Sequence, residues 1–355
     1  MGPRHEQRRR ARREQGPSVK LADVAARAGV STATASRVLN DSSYVVSDEL
    51  RARVLAAASE LHYTPNAHAQ AVARGASDTV GLVVHDIADP YFSTIAAGVT
   101  AEAEDHGMVV LLANTRRDPE LELQYVAMLS AQRARAVIIA GSRSTRRGDS
   151  ERLRAEIERF RGRGGQVACI SQNRLGTDTI RPQNASGARA LARELARLGH
   201  RRFAVLAGPP NLHTARDRTS GFRTGLLDEG VGAAAVDVRS GAFTRDGGYE
   251  VAEKLVADGL DVSCVFAVND VMAVGAMAAF RDAGLEVPED VSVAGFDDIA
   301  TLRDLAPPLT TVHLPLEEMG RQAARLALDA RPSRRARVVD VRGEVILRQS
   351  TRAVD

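Results

Sequence analysis

The sequence predicts a small all-α head followed by a larger α/β core of doubly wound parallel sheets arranged in two lobes. Three observations carry this. Apolar stripes at three-and-four spacing crowd residues 20–62. After Thr79, short apolar runs alternate with amphipathic helices up to residue 300. Within that alternation, VGLVV with its helices is repeated in plan by FAVLAG with its own, which places a boundary between lobes near residue 177.

A chain of 355 residues can hold two or three domains and bury a core that needs no disulfide staple. Its 44% hydrophobic and 26% charged residues are those of a globular protein, and no apolar run approaches the roughly 20 residues that span a bilayer. Cys169 and Cys264 lie inside the apolar runs QVACI and VSCVFAV, as free buried thiols of a reducing cytoplasm would. The arginine-rich N-terminus has no apolar segment before residue 18, which argues against export. Net charge is +3, unevenly spread: residues 1–75 hold 12 basic and 7 acidic groups, net +5, and the remainder is net −2. A polyanionic partner is expected for the first segment and a different one for the rest.

Residues 1–17 have almost no aliphatic content and are expected to be a disordered basic tail. Residues 18–64 form the head. Leu21, Val24, Ala25 and Ala28 make the inner face of a first helix that ends at Gly29. Ser31 caps a second, with Ala35, Val38 and Leu39 inward. Ser47 caps a third, opened by Asp48 and Glu49 at the positive end of the helix dipole and faced by Leu50, Val54, Ala57, Ala58 and Leu61. A short helix, a tight turn and a capped second helix make a helix-turn-helix, which lays its second helix in the DNA major groove. Thr32, Ala33, Ser36 and Arg37 lie off the inward stripe, offering methyl, hydroxyl and guanidinium groups to thymine methyls, phosphates and guanine edges. The surface of a plain helical bundle would look similar, since arginine decorates many helices. Residues 65–78 read as a hinge helix and linker: NAHAQAVARG favours helix, but two turns with few large side chains are marginal without a partner.

The core, 79–355, has strands expected at 80–84, 108–114, 136–141, 166–171, 203–208, 264–270 and 291–298. Helices are expected between them, at 93–106, 119–132, 150–162, 185–198, 216–229 and 246–257. Two-lobed α/β cores bind ligands between the lobes, at the carboxyl ends of strands. Tyr91 and Phe92 follow VGLVV, Asn269 follows CVFAV and Asp297 follows VSVAGF, so these are the first candidates. Catalysis finds little support. Eight histidines contain no HxxxH or HExxH pair, no serine nucleophile elbow is present, and GRGGQ and GPPN do not match phosphate-cradling spacing. No enzyme, metal or cofactor is expected.

LADVAARAGVSTATASRVLN, followed by YVVSDELRARVLAAASELHYTPNAHAQAV, resembles the DNA-binding head of the lactose/galactose-repressor family of bacterial transcriptional regulators. The resemblance continues through TVGLVVHDIADPYF, NTRRDPE, RPQNASGARA, RTSGF, VFAVNDVMAVGA, SVAGFDDI and PPLTTVHLP, covering roughly residues 19–350. It implies a periplasmic-binding-protein-like core, with the chain crossing back between lobes near residue 305. It further implies a homodimer on an inverted-repeat operator, a hinge helix in the minor groove, and a small effector, a sugar or related metabolite, between the lobes. Carried over residue by residue, it places DNA contacts at Thr32, Ala33, Ser36 and Arg37, and in the hinge at Asn66 and Val72. Val72 stands where the family usually has a leucine wedge, and valine is shorter and stiffer. Effector contacts fall on Tyr91, Phe92, Asn173, Arg218, Phe243, Asn269 and Asp297. No leucine heptad follows RQSTRAVD, so a dimer rather than a tetramer is expected. The competing reading is a stand-alone sugar-binding or enzymatic protein with an accessory head. It would call for a signal peptide or a strand-end catalytic constellation, and the sequence has neither.

Overall fold

Two units make up the chain, Met1–Gly75 and Ala76–Asp355, in a computed structural model that describes residues 19–39, 46–64, 76–329 and 335–354. The basic tail expected over 1–17, and the hinge residues Asn66 and Val72, lie outside the described residues.

In the first unit, α1 (Leu21–Ala28), α2 (Thr32–Leu39) and α3 (Asp48–Glu60) close around Val24, Ala25, Ala28, Ala35, Val38, Val54, Ala57 and Ala58. Helix α1 stops where Gly29 takes φ +67°, a left-handed turn open to glycine at little cost. A Cβ there would also stand 2.9 Å from a guanidinium nitrogen of Arg53. Helix α2 starts because Ser31 Oγ accepts the Thr34 N–H at 3.1 Å. Ser47 precedes α3 as expected, but its side chain makes no capping bond. Gly29→Ala is expected to cost about 1–2 kcal/mol, the price of left-handed backbone for a residue with a Cβ, read as a lower urea midpoint for the head's transition in the full chain.

The second unit holds two sheets. The first lobe is a six-stranded parallel sheet in the order β11-β5-β4-β3-β1-β2, with β1 Thr79–Val84, β2 Val109–Asn114, β3 Ala136–Ala140, β4 Gln166–Ile170, β5 Asp178–Pro182 and β11 Val338–Val341. Alternation along β3 sends Ala136, Ile138 and Ala140 toward α4 (Pro90–Asp105) and α11 (Leu316–Leu328). Val137 and Ile139 face α5 (Pro119–Ala131) and α6 (Arg147–Gly162). The second lobe is a four-stranded parallel sheet, β7-β6-β8-β9: β6 Phe203–Ala207, β7 Val236–Ser240, β8 Cys264–Ala267 and β9 Ser292–Ala294. It packs with the helix pairs α7 (Asn184–Arg197) with α8 (His213–Asp228) and α9 (Arg245–Ala257) with α10 (Asp270–Asp282). A short antiparallel pair, β10 (Thr311–His313) and β12 (Glu344–Ile346), completes it. Helix pairs approach backbone to backbone at small residues: a Cβ on Gly98 of α4 would meet the Glu317 carbonyl of α11, and one on Gly320 the Ile95 carbonyl in return.

The lobe boundaries differ from those expected. The first lobe runs on to Pro182, past the boundary near 177, because β5 pairs with β4. The return falls between His313 and Leu316, later than 305, because β10 still belongs with β12 and a bridge joins Thr310 to Ala294. A third crossing lies between Val341 and Glu344. Cys169 and Cys264 are free and buried, one in each lobe.

Candidate functional site

The carboxyl ends of the parallel strands meet across a cleft that encloses about 540 Å3 out to its open mouth. From the first lobe, β1 delivers His85, and Asp89 caps α4 by accepting the Tyr91 N–H at 3.0 Å, which sets Tyr91 and Phe92 on the first turn facing the cleft. Their rings meet edge to face at 4.9 Å. Strand β3 supplies Gly141 and Ser142, and β4 supplies Ser171 and Gln172. From the second lobe come Thr214 and Arg218 on α8, Phe243 after β7, Asn269 after β8 and Asp297 after β9.

Arg218 organises the second-lobe wall. Its guanidinium forms a two-pronged pair with the Asp297 carboxylate, 2.6 Å from Nη2 to Oδ1 and 3.1 Å from Nη1 to Oδ2. It also donates to Asn184 Oδ1 and to the Val268 carbonyl, both at 2.8 Å, and lies 3.8 Å from the centre of the Phe296 ring. Both partners are buried. Burial pushes the Asp297 carboxyl upward and Arg218 holds it back. Asp297 keeps this aim at φ +121°, a strained conformation for a residue with a side chain. Asn269 has two tasks: it lines the cleft and caps α10 by accepting the Met272 N–H at 3.1 Å.

The mouth is bridged from lobe to lobe. Arg117, in the turn after β2, donates from Nη2 to the Phe243 carbonyl at 3.0 Å and stands 3.4 Å from Asp86 Oδ2. Gln172 donates to Thr214 Oγ1 at 2.9 Å, and the Thr214 N–H donates to Ser142 Oγ at 3.0 Å. His85 is held well below its usual range by burial and by the Arg143 and Arg117 charges, so it presents a neutral imidazole. Gly141 has φ +144°, and a Cβ there would stand 2.7 Å from that ring. Arg143 sits behind, in a buried two-pronged pair with Glu122.

Of the effector contacts expected from sequence, Tyr91, Phe92, Arg218, Phe243, Asn269 and Asp297 all line the cleft. Asn173 does not. It points into a separate groove with Arg174, and its neighbour Gln172 takes the cleft position because Gln172 Oε1 accepts the Arg143 N–H at 3.0 Å. His85, Asp89, Arg117 and Thr214 line the cleft without having been singled out. In the head, Thr32, Ala33 and Arg37 are exposed on α2 and Ser36 is half-buried, opposite the buried Ala35 and Val38. Among the described residues no group of three or more His, Cys, Asp or Glu could hold a metal ion, and no helix is long and apolar enough to cross a membrane.

Residues 20–66 match the model of the lacI family of bacterial regulatory proteins, and residues 192–351 match a periplasmic binding protein-like domain. The HTH-type transcriptional regulator GalS of Salmonella typhimurium is 36% identical over 87% of this chain and 89% of its own length. The chain belongs to the lacI family. The HTH-type transcriptional repressor PurR of Haemophilus influenzae is 32% identical over 94% of this chain and 99% of its own. Among solved structures, the Lac repressor dimer bound to operator and the anti-inducer ONPF aligns with a TM-score of 0.81 at 28% identity, over 95% of this chain and all of that one. A complex of the regulator CelR with cellobiose aligns at 0.67 and 30% identity, covering 94% of this chain and 99% of that one. This lacI-family chain is a DNA-binding transcriptional regulator and not an enzyme.

Two carboxyls, Asp89 in the cleft and the buried Asp270 behind it, make stability depend on pH. Burial raises Asp270 to about 8, helped by the Asp297 charge and opposed by hydrogen bonds from Thr311 Oγ1 and the Ile299 N–H. Burial likewise raises Asp89 to about 6. Both folded values lie above the unfolded one, so the folded state keeps protons that the unfolded state releases. Their contribution to stability is greatest in acid and is lost as the pH climbs from about 4 to about 8. Asp270→Asn is expected to gain stability relative to the parent over that climb. Urea midpoints of the two proteins at pH 5 and pH 8 check it, and a constant difference would refute it.

Proposed function

We propose that this lacI-family regulator is a cytoplasmic repressor whose operator affinity is set by a small effector, a sugar or related metabolite, bound between the two lobes. The observation that carries this is the cleft itself: polar groups paired across charge-balanced partners, Arg218 with Asp297 and Arg117 with Asp86, between the aromatic side chains Tyr91, Phe92 and Phe243. Such a lining suits a neutral ring rich in hydroxyls, stacked on one face and hydrogen-bonded at its edge. Tyr91, Phe92, Arg218, Phe243, Asn269 and Asp297 are the proposed contacts. Thr32, Ala33, Ser36 and Arg37 are the proposed DNA-reading residues, joined in the hinge by Asn66 and Val72.

The repressor acts as a homodimer on an inverted repeat, since two heads related by a two-fold axis demand such a site. Each lobe has an apolar surface to support that pairing. Val109, Leu111 and Leu112 are exposed on the outermost strand β2, and Val274, Met277, Leu285, Val287 and Leu305 line a groove in the second lobe. Light scattering is expected to give the mass of two chains, and Met277→Glu to give that of one. Gel shifts against genomic fragments with and without a metabolite library test the whole reading. Binding without sequence preference at moderate salt, unchanged by every metabolite, would sink it.

A further inference from the structure

Beside the cleft, and sharing none of its lining residues, a second groove of about 1340 Å3 out to open solvent crosses the seam between the lobes. Arg147, Arg154 and Arg174 enter it from the first lobe, and His213 and Arg216 from the first turn of α8 in the second. Its charge is only partly compensated. Arg147 has a nearby carboxylate, Glu151 at 3.4 Å. Among the described residues, Arg154, Arg174 and Arg216 form no ion pair. Arg154 donates to the Arg174 carbonyl at 2.6 Å, which holds the Arg174 loop in place and leaves the Arg154 charge standing. His213 is lowered by burial and by the Arg174 and Arg216 charges, against the Asp217 carboxylate, so it stands within reach of charge from both walls. Two carboxylates stand against this charge among the described residues: Glu151, which lines the groove, and Asp217 next to Arg216, which burial raises while the His213, Arg174 and Arg216 charges pull it down.

We propose that this groove is an anion site for a small metabolite carrying a phosphate or paired carboxylates, held between Arg174 of the first lobe and Arg216 of the second. Planar guanidiniums match such oxygens two at a time, and the groove offers them from walls of both lobes. Hydrogen bonds from the His213 N–H to the Arg143 carbonyl, 3.0 Å, and from the Thr145 N–H to the Asn211 carbonyl, 2.8 Å, place the two lobes at this distance. An anion that draws on both walls therefore favours the arrangement of lobes seen here over any that parts them. By linkage it changes the affinity of the cleft for its own ligand, and the cleft ligand changes anion affinity by the same factor.

The test uses the full chain, with inorganic phosphate as the probe and chloride at matched ionic strength as the reference, followed by calorimetry and thermal melting. Phosphate is expected to bind saturably and raise the melting temperature. Arg174→Gln and Arg216→Gln, both at exposed positions and checked for unchanged circular dichroism, are each expected to weaken it by about tenfold or more. A response no greater than chloride's overturns the proposal. So does saturation that survives both substitutions, which would put the anion elsewhere, for instance on the basic head. Loss on substituting only one of the two arginines overturns the bridging. Failure of the DNA-binding assay would leave this result untouched, because the groove lies wholly in the core.

Discussion

Asp297→Ala is expected to cost about 3–5 kcal/mol of core stability as well as effector binding, because it leaves the Arg218 guanidinium buried and unpaired. The charge cannot be released by deprotonation. Its remaining partners, Asn184 Oδ1 and the Val268 carbonyl, are neutral acceptors. Removing both members of the pair, as Arg218→Met with Asp297→Leu, separates the two effects: stability returns toward that of the parent while effector binding stays lost. Denaturant melts and ligand calorimetry on the single and double variants decide it. A single variant as stable as the parent would mean that water or another group takes over the Asp297 position.

Arg37→Ala is expected to weaken operator binding by about 1–3 kcal/mol, the range for one good side-chain contact to a base pair, and to leave effector affinity unchanged. Arg37 is exposed in the last turn of α2, away from the buried Ala35 and Val38. Arg37 belongs to the head unit, and every cleft residue to the core unit. A gel-shift titration and a ligand titration on one preparation check both halves. If Arg37 holds a phosphate instead of a base, affinity falls equally for every operator sequence and the salt dependence shrinks.

The doubly wound plan is legible in the sequence because strands covered on both faces must be apolar throughout, as AVIIA, FAVLA and CVFA are. The same rule hides β5 and β11. DTIRP carries proline and charge and VVDV a charge: β11 is the edge strand and β5 its neighbour, and Arg181 and Asp340 pair across them at exposed positions. The lobe boundary is misplaced for that reason. Six cleft residues are legible because they follow strand ends or sit in family motifs. Arg117 lies in NTRRDPE, one of the stretches that carry the resemblance, yet its role is not legible there, since its contact with the Phe243 carbonyl joins two lobes through a turn with φ +63°. Asn173 and Gln172 are adjacent amides, and which one faces the cleft depends on the hydrogen bond from Arg143.

The three crossings also govern how the protein must be made. Neither lobe is a continuous stretch of chain: the first is closed by α11 and β11, which are translated after nearly all of the second. While the ribosome works through residues 183–315, the nascent first sheet has β5 at its edge without its final neighbour, and the apolar face that α11 will cover is bare. The second lobe has its four parallel strands by residue 294, before its sister is finished. A chain truncated before Leu316 therefore leaves the ribosome with one sheet lacking its cover, a form that chaperones and proteases would meet first.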